Sequence, residues 1–246
     1  MRACIFAGPS LPPAARADIA GVVWHPPAAQ GDLYRAALGR PAAIGLVDGY
    51  FGSVASVWHK EILWAMTQGI HVYGAASIGA LRAAELAAFG MHGVGEVFAA
   101  YRDGVLQDDD EVALLHGPAE TGYLPLSEPM VNLRASFAAA AAAGVLTAAQ
   151  ADLLVARGKL VFYQSRNFPD VIAAAGLPAD VAAALTAWLP AGRVDRKRLD
   201  ALALQARIAD HLAAPPPPLT PAWRFAHTAQ WEAARYRVEI GLRVEG

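Results

Sequence analysis

The chain has 246 residues, of which 55% are hydrophobic and 17% charged, and its formal net charge is −2. This length is enough for one large domain with a core, or for a domain with an appendage. The charge balance shows no basic stripe for nucleic acid, and no stretch reaches the roughly 18 uninterrupted apolar residues of a membrane span. A single cysteine, Cys4, excludes an internal disulfide and favours a reducing compartment. We therefore expect a cytoplasmic protein.

The first 100 residues alternate between short apolar runs, rich in β-branched residues, and helical stretches. The runs at 3–7, 21–24, 43–47 and 70–74 are continuous in hydrophobicity, which predicts strands that are covered on both faces of a sheet. Helices are predicted at 57–68, with Ser56 as N-cap and Gly69 at the end, and at 78–89, ending at Gly90. Strands and helices in this alternation predict right-handed βαβ units and a parallel sheet.

The second part of the sequence has a different texture. Residues 90–129 are rich in glycine, acidic residues and turn formers, which indicates a loop-rich segment. Helices are then predicted at 132–143, 148–162, 179–188 and 196–212. The run 215–218 is four prolines, a stiff spacer, and it leads to a final amphipathic helix at 223–243. The prediction is an α/β domain over 1–130 and a helical region over 131–246.

Ser77 stands where the fourth strand turns into a helix. The pattern Ala75-x-Ser77-x-Gly79 is close to the G-x-S-x-G elbow, in which small neighbours allow a tight turn that exposes a nucleophilic hydroxyl. The N–H groups at the start of the following helix then face any anion formed there. Two other interpretations stay open: a serine that only caps the helix, and a phosphate cradle, although no phosphate-loop motif accompanies it.

A nucleophilic serine needs a base, and Lys60 is the candidate in the preceding helix. It shares a helical face with Val57, Leu63 and Trp64, and burial there lowers a lysine pKa so that a neutral amine could take a proton from Ser77. Alternatively, Lys60 extends to solvent or pairs with an acid such as Asp48.

Three further candidates lie near this turn in the predicted fold. Asp48 ends the third strand, at the sheet edge where ligands bind in α/β proteins, and Ser10 follows the first strand. Arg82 either receives an anionic substrate or forms a surface pair with Glu85.

The acidic run 107–111 lies near His116 and superficially resembles a metal site. Contiguous carboxylates point in different directions, and the run lacks calcium-loop and histidine spacing. The sequence favours a solvated acidic loop or a surface that docks a partner, and it predicts no metal site.

An ordered series of motifs strongly resembles the TfuA-like family. The matching segments are DGYF (48–51), VWHKEIL (57–63), YGAASIGALRAAEL (73–86), GMHGVG (90–95), DDDEV (108–112) and SEPMVN (127–132), and GPS (8–10) also fits. The resemblance is dense over residues 44–135, whereas the helical half matches only in general character.

The resemblance implies a partner of YcaO enzymes, which use ATP to activate a peptide amide oxygen for replacement by sulfur. The family is similar to a hydrolase with a Ser–Lys pair that releases sulfide from the thiocarboxylated C-terminus of a ThiS-like carrier protein. It also helps its YcaO protein to engage the precursor peptide. Carried over to this sequence, Ser77 is the nucleophile and Lys60 the base, with no cofactor in this chain.

The remaining site residues follow from the needs of this chemistry. A thiocarboxylate is already anionic, so the N–H groups of Ile78 and Gly79, with Arg82, are expected to stabilise the charge. The small residues at Gly74 and the two alanines after it would suit a slender diglycine tail in a narrow channel. Two other functions stay open: an adaptor without activity that binds YcaO and its peptide, and a free-standing serine amidase or esterase.

Overall fold

Five parallel strands form the sheet of this protein. The computed structural model describes residues 2–52 and 54–245. The strands are β1 (Ala3–Phe6), β2 (Val22–His25), β3 (Ala43–Leu46), β4 (His71–Ala75) and β5 (His92–Val94), and their order in the sheet is β2-β1-β3-β4-β5. The predicted parallel α/β fold is confirmed. Strand β5 was not predicted, because three residues with a central glycine do not form an apolar run.

Ten α-helices are found in the described part of the chain. They are α1 (Asp32–Leu38), α2 (His59–Thr67), α3 (Ile78–Leu86), α4 (Gly95–Arg102), α5 (Met130–Ala142), α6 (Ala148–Lys159), α7 (Phe168–Ala175), α8 (Ala179–Gly192), α9 (Arg196–Ala213) and α10 (Ala229–Glu245). The predicted cap of α2 is wrong: Trp58 precedes this helix, and the Ser56 hydroxyl donates to the Tyr50 carbonyl oxygen instead. None of these helices is long and apolar enough to cross a membrane.

Alternation along the strands gives the sheet two buried faces. On one face, Phe6, Ile44 and Val72 join the apolar residues of α1, α2 and α3 in one core. On the other face, residues such as Ile5 and Tyr73 pack against the apolar side of α9. Strands with helices on both faces carry continuous apolar sequence, which is why the four longer strands were predictable.

The strand order reverses between β1 and β3. In doubly wound sheets, ligands bind outside the carboxyl ends of the strands at such a reversal. The loops after β1, β3 and β4 all leave the sheet at this edge, and they carry Ser10, Asp48 and Ser77 respectively.

The helices of the second half pack in two places: some form a core of their own, and others pack against the α/β half. Helices α5 to α8 share a core of their own around Leu133, Phe137 and Leu154. Helix α9 covers the sheet, and α10 packs through Trp231 against the aromatic rings of Tyr34 and Trp64.

Candidate active site

The turn that presents Ser77 is strained. Ala76 is fully buried and has a φ of 66°, in the left-handed region that side chains disfavour. The Ser77 N–H donates to the Ala75 carbonyl oxygen at 2.7 Å, so Ala76 is the centre of a three-residue γ-turn. Strain of this kind costs on the order of 1–3 kcal/mol and is concentrated at functional sites.

Two glycines let α3 start this close to the sheet. A Cβ atom on Gly79 would lie 1.8 Å from the Leu46 carbonyl oxygen, and one on Gly74 would lie 2.1 Å from the Gly79 carbonyl oxygen. Gly74 and the two alanines after it are buried against α3 and do not border the Ser77 cavity. The expectation that these small residues line a substrate channel is therefore wrong, since their size serves helix–sheet packing.

Ser77 opens into a cavity with a volume of about 780 Å³. Although the serine precedes α3, its side chain makes no capping hydrogen bond, so the helix-cap interpretation does not hold. The cavity is lined largely by aromatic and polar residues, among them Asp48, Gly49, Tyr50, Phe51, His116, Tyr123, Tyr163, Gln164 and Lys197. It is broader than the narrow channel that the sequence suggested.

Lys197 is the lysine that shares the cavity with Ser77. It lies in the first turn of α9 and is only 2% exposed. Its ammonium nitrogen donates to the Val112 carbonyl oxygen at 2.7 Å and lies 3.9 Å from Oδ1 of Asp48. Burial lowers the pKa of the Lys197 amine, whereas nearby carboxylates, Asp48 foremost, act in the opposite direction. A lowered pKa makes this amine a competent proton acceptor.

Asp48 links the loops after β1 and β3. One carboxylate oxygen accepts the N–H groups of Gly8 (2.8 Å) and Ser10 (3.0 Å), and the other accepts the Ser10 hydroxyl at 2.6 Å. Asp48 is thus a buried carboxyl group that accepts three hydrogen bonds beside Lys197. Ser10 supports this carboxylate and does not itself border the Ser77 cavity.

The predicted Lys60 lies elsewhere. Its ammonium group donates a hydrogen bond to the Ala226 carbonyl oxygen, and the nitrogen lies 4.7 Å from the centre of the Phe225 ring. Both partners belong to the segment before α10, and Lys60 does not border the Ser77 cavity. The structure therefore does not form the predicted Ser77–Lys60 pair, because the lysine is engaged by the C-terminal part of the chain.

The groups that were predicted to stabilise the substrate anion are not all placed at the Ser77 cavity. The Gly79 N–H donates to the Val47 carbonyl oxygen at 3.3 Å, so it is not directed at the cavity. Among the described residues, no hydrogen bond engages the N–H of Ile78 or that of Gly49, and Gly49 borders the cavity. Arg82 borders a separate groove, where it donates to the Val57 carbonyl oxygen and to Glu85.

The acidic loop is held by basic side chains of α5, α6 and the loop before α7. Asp110 pairs with Lys159 and Arg166, and Glu111 forms a two-fold contact with Arg134. The Asp108 side chain is 65% exposed although it also approaches Lys159. The loop is therefore only partly a solvated surface. In the described part of the chain, no cluster of His, Cys, Asp or Glu could hold a metal ion.

Lys197 was not predicted as a site residue, although its position relative to the apolar residues of its helix was a usable signal. In α9 the buried residues Ala201, Leu204 and Ile208 recur at helical spacing, and Lys197 lies one turn before them on the same face. A charged residue in phase with an apolar face is a candidate for a buried functional group.

Comparison with protein families supports the resemblance. Residues 48–167 match the family model described as TfuA-like protein. The matched segment contains Asp48 and Ser77 and ends before Lys197. No curated protein matches the chain.

Proposed function

Since residues 48–167 match the TfuA-like family model, we propose that this chain is the sulfide-releasing hydrolase partner of a YcaO enzyme. Its substrate is the thiocarboxylated C-terminus of a ThiS-like carrier protein. The observation that carries the proposal is a serine on a strained turn in the same cavity as a fully buried lysine. Ser77 is the nucleophile and Lys197, in place of Lys60, is the base.

The first step forms an ester on Ser77. Its oxygen attacks the thiocarboxylate carbon while its proton passes to the Lys197 amine. The carbon–sulfur bond then breaks, the proton moves from the lysine to the departing sulfur, and hydrosulfide leaves. The serine proton therefore ends on sulfur and Lys197 returns to its neutral state. Hydrosulfide is a stable anion at neutral pH, so no strong acid is required.

The surroundings of Lys197 support this transient charge. The Val112 carbonyl oxygen accepts one N–H bond of the amine, and Asp48 supplies a negative charge 3.9 Å away. Because Asp48 is itself held by three donors, it can stabilise the lysinium without taking its proton. The same burial that lowers the lysine pKa strengthens these electrostatic contacts.

A thiocarboxylate carries negative charge that resists attack. The Gly49 N–H, which no described acceptor engages, belongs to a residue that borders the cavity and is the donor best suited to this anion. The Ile78 N–H has no described acceptor either, but Ile78 borders the groove of Arg82. Packing requires glycine at position 49, since a Cβ atom there would lie 2.8 Å from both Ala28 O and Ile78 Cγ2.

The partners follow from the same proposal. Released sulfide is consumed by a YcaO protein, which uses ATP and acts on a precursor peptide, while this chain needs no cofactor. Docking onto YcaO is expected to use exposed side chains. Asp108 and Asp109 suit that role better than Asp110 and Glu111, which are engaged within the chain.

Sulfide release from purified carrier thiocarboxylate tests the proposal. Parent protein is expected to release sulfide, Ser77→Ala and Lys197→Met to lose this activity, and Ser165→Ala, an exposed serine outside the cavity, to retain it. Unchanged release by Ser77→Ala would leave the adaptor function, which is tested by YcaO binding of Asp109→Lys. Turnover of simple esters without carrier would indicate the free-standing esterase.

A further inference from the structure

His116 is a second ionisable side chain on the Ser77 cavity, and its tautomer is fixed. Its Nδ1 lies 2.7 Å from the Gly117 carbonyl oxygen. A carbonyl oxygen can only accept, so Nδ1 carries a proton, which leaves Nε2 as the ring nitrogen that can accept one. Among the described residues, none forms a hydrogen bond with Nε2 of His116.

The ring is also held in position. His116 belongs to a short antiparallel pairing with Pro125, which is closed by the bond from the Gly117 N–H to the Leu124 carbonyl oxygen at 2.8 Å. Its ring centre lies 6.1 Å from that of Tyr50 and 5.8 Å from that of Tyr123. Both tyrosines border the cavity, so the imidazole is one wall of the space into which Ser77 opens.

Lys197 and His116 differ in their access to water. Lys197 is 2% exposed and donates to the Val112 carbonyl oxygen from within the protein. His116 is half-buried on the cavity wall, so its ring is more accessible to a water molecule in the cavity than the Lys197 amine is.

We propose that His116 is the base for the second half of the reaction, in which water hydrolyses the ester on Ser77. The inference rests on the proposed hydrolase function. One water proton moves to Nε2 as the water oxygen bonds to the acyl carbon. The bond from that carbon to the Ser77 oxygen then breaks, and the proton passes from the imidazolium to this oxygen. A free carboxylate on the carrier and one solvent proton are the products.

The roles of the two bases can be separated by measuring sulfide release from thiocarboxylated carrier, first in a single turnover and then in the steady state. His116→Asn retains a donor for the Gly117 carbonyl oxygen but lacks Nε2. We expect it to release one equivalent of sulfide per chain at the parent rate and then slow by about 10²–10⁴-fold, the range of general-base catalysis. The ester of carrier and enzyme should accumulate as a hydroxylamine-sensitive band on denaturing gels. His227→Asn, an exposed histidine outside the cavity, is the control.

The outcomes distinguish the inference from the function on which it rests. The inference is overturned if His116→Asn keeps the parent's steady-state rate. It is also overturned if the rate of the first turnover falls as much as the steady-state rate. If sulfide is released without any ester in parent or variants, the serine mechanism itself fails. An ester that accumulates in His116→Asn and disappears when Ser77→Ala is added supports both.

Discussion

Replacing Lys197 with methionine tests the site most directly. Methionine keeps the length of the buried stem and removes the amine. If Lys197 takes the Ser77 proton, sulfide release falls by about 10²–10⁴-fold, the contribution of a positioned base. The pH dependence is a second signature. Only the neutral amine acts as a base, so parent activity rises with pH through the lowered Lys197 pKa, and this rise is absent from the variant.

The variant should remain folded, and the contacts of Lys197 explain why. The Val112 carbonyl oxygen loses its partner, which costs about 1–3 kcal/mol when the group is buried. Against this, the variant no longer has to desolvate an amine, and Asp48 keeps its three donors. A net change in the free energy of unfolding within about 2 kcal/mol is expected, and urea denaturation measures it.

Lys60→Met is the matched control, because it makes the same change at the lysine that sequence reasoning selected. Among the described residues, the hydrogen bond and the ring contact of its amine are both to the segment before α10, so parent rates of sulfide release are expected. The reasoning is refuted if Lys197→Met is folded and retains parent activity, or if Lys60→Met loses activity while its unfolding curve matches the parent.

Three other predictions concern the frame of the site. Gly79→Ala should destabilise the fold by roughly 4 kcal/mol or more, since its Cβ would meet Leu46 O at 1.8 Å, whereas Gly241→Ala in open space should not; thermal unfolding measures both. Asp48→Ala should cost roughly 2–6 kcal/mol, about 1–3 kcal/mol for each of the buried Gly8 and Ser10 N–H groups that lose their acceptor, and equal stability to the parent in urea would contradict this. Burial lowers the pKa values of His92 and His211, so the folded state binds fewer protons and stability falls as pH drops below about 6.5. The loss, compared between parent and His211→Asn, should be smaller in the variant.

The sheet was predictable from sequence because its strands are covered on both faces. Their continuous apolar runs contrast with the polar loops, and four of five strands were found within a residue or two. The fifth strand and the helices α1, α4 and α7 were missed, because the strand is three residues long around Gly93 and the helices have only seven or eight residues each. Local pattern carries little information on such short elements.

The proposed nucleophile Ser77 could be found from the sequence, but the proposed base Lys197 could not. Ser77 has a local signal, small residues around a strand-to-helix turn. Lys60 was selected from local apolar neighbours, yet the chain before α10 supplies its partners. The sequence placed Lys197 correctly in a helix, but which face of the sheet that helix covers depends on packing between distant segments.

The position of Lys197 has a consequence for how the two halves of the sequence depend on each other. The Val97 N–H in α4 donates to the Asp200 carboxylate of α9 at 2.7 Å, and Arg196 of α9 pairs with Glu96 of α4 at 2.7 Å. These contacts between the halves hold the first turn of α9 against the α/β half. Because Ser77 and Lys197 come from opposite halves, the α/β half alone would hold the proposed nucleophile without the proposed base. Separating the halves at residue 130 should abolish sulfide release even if each part folds.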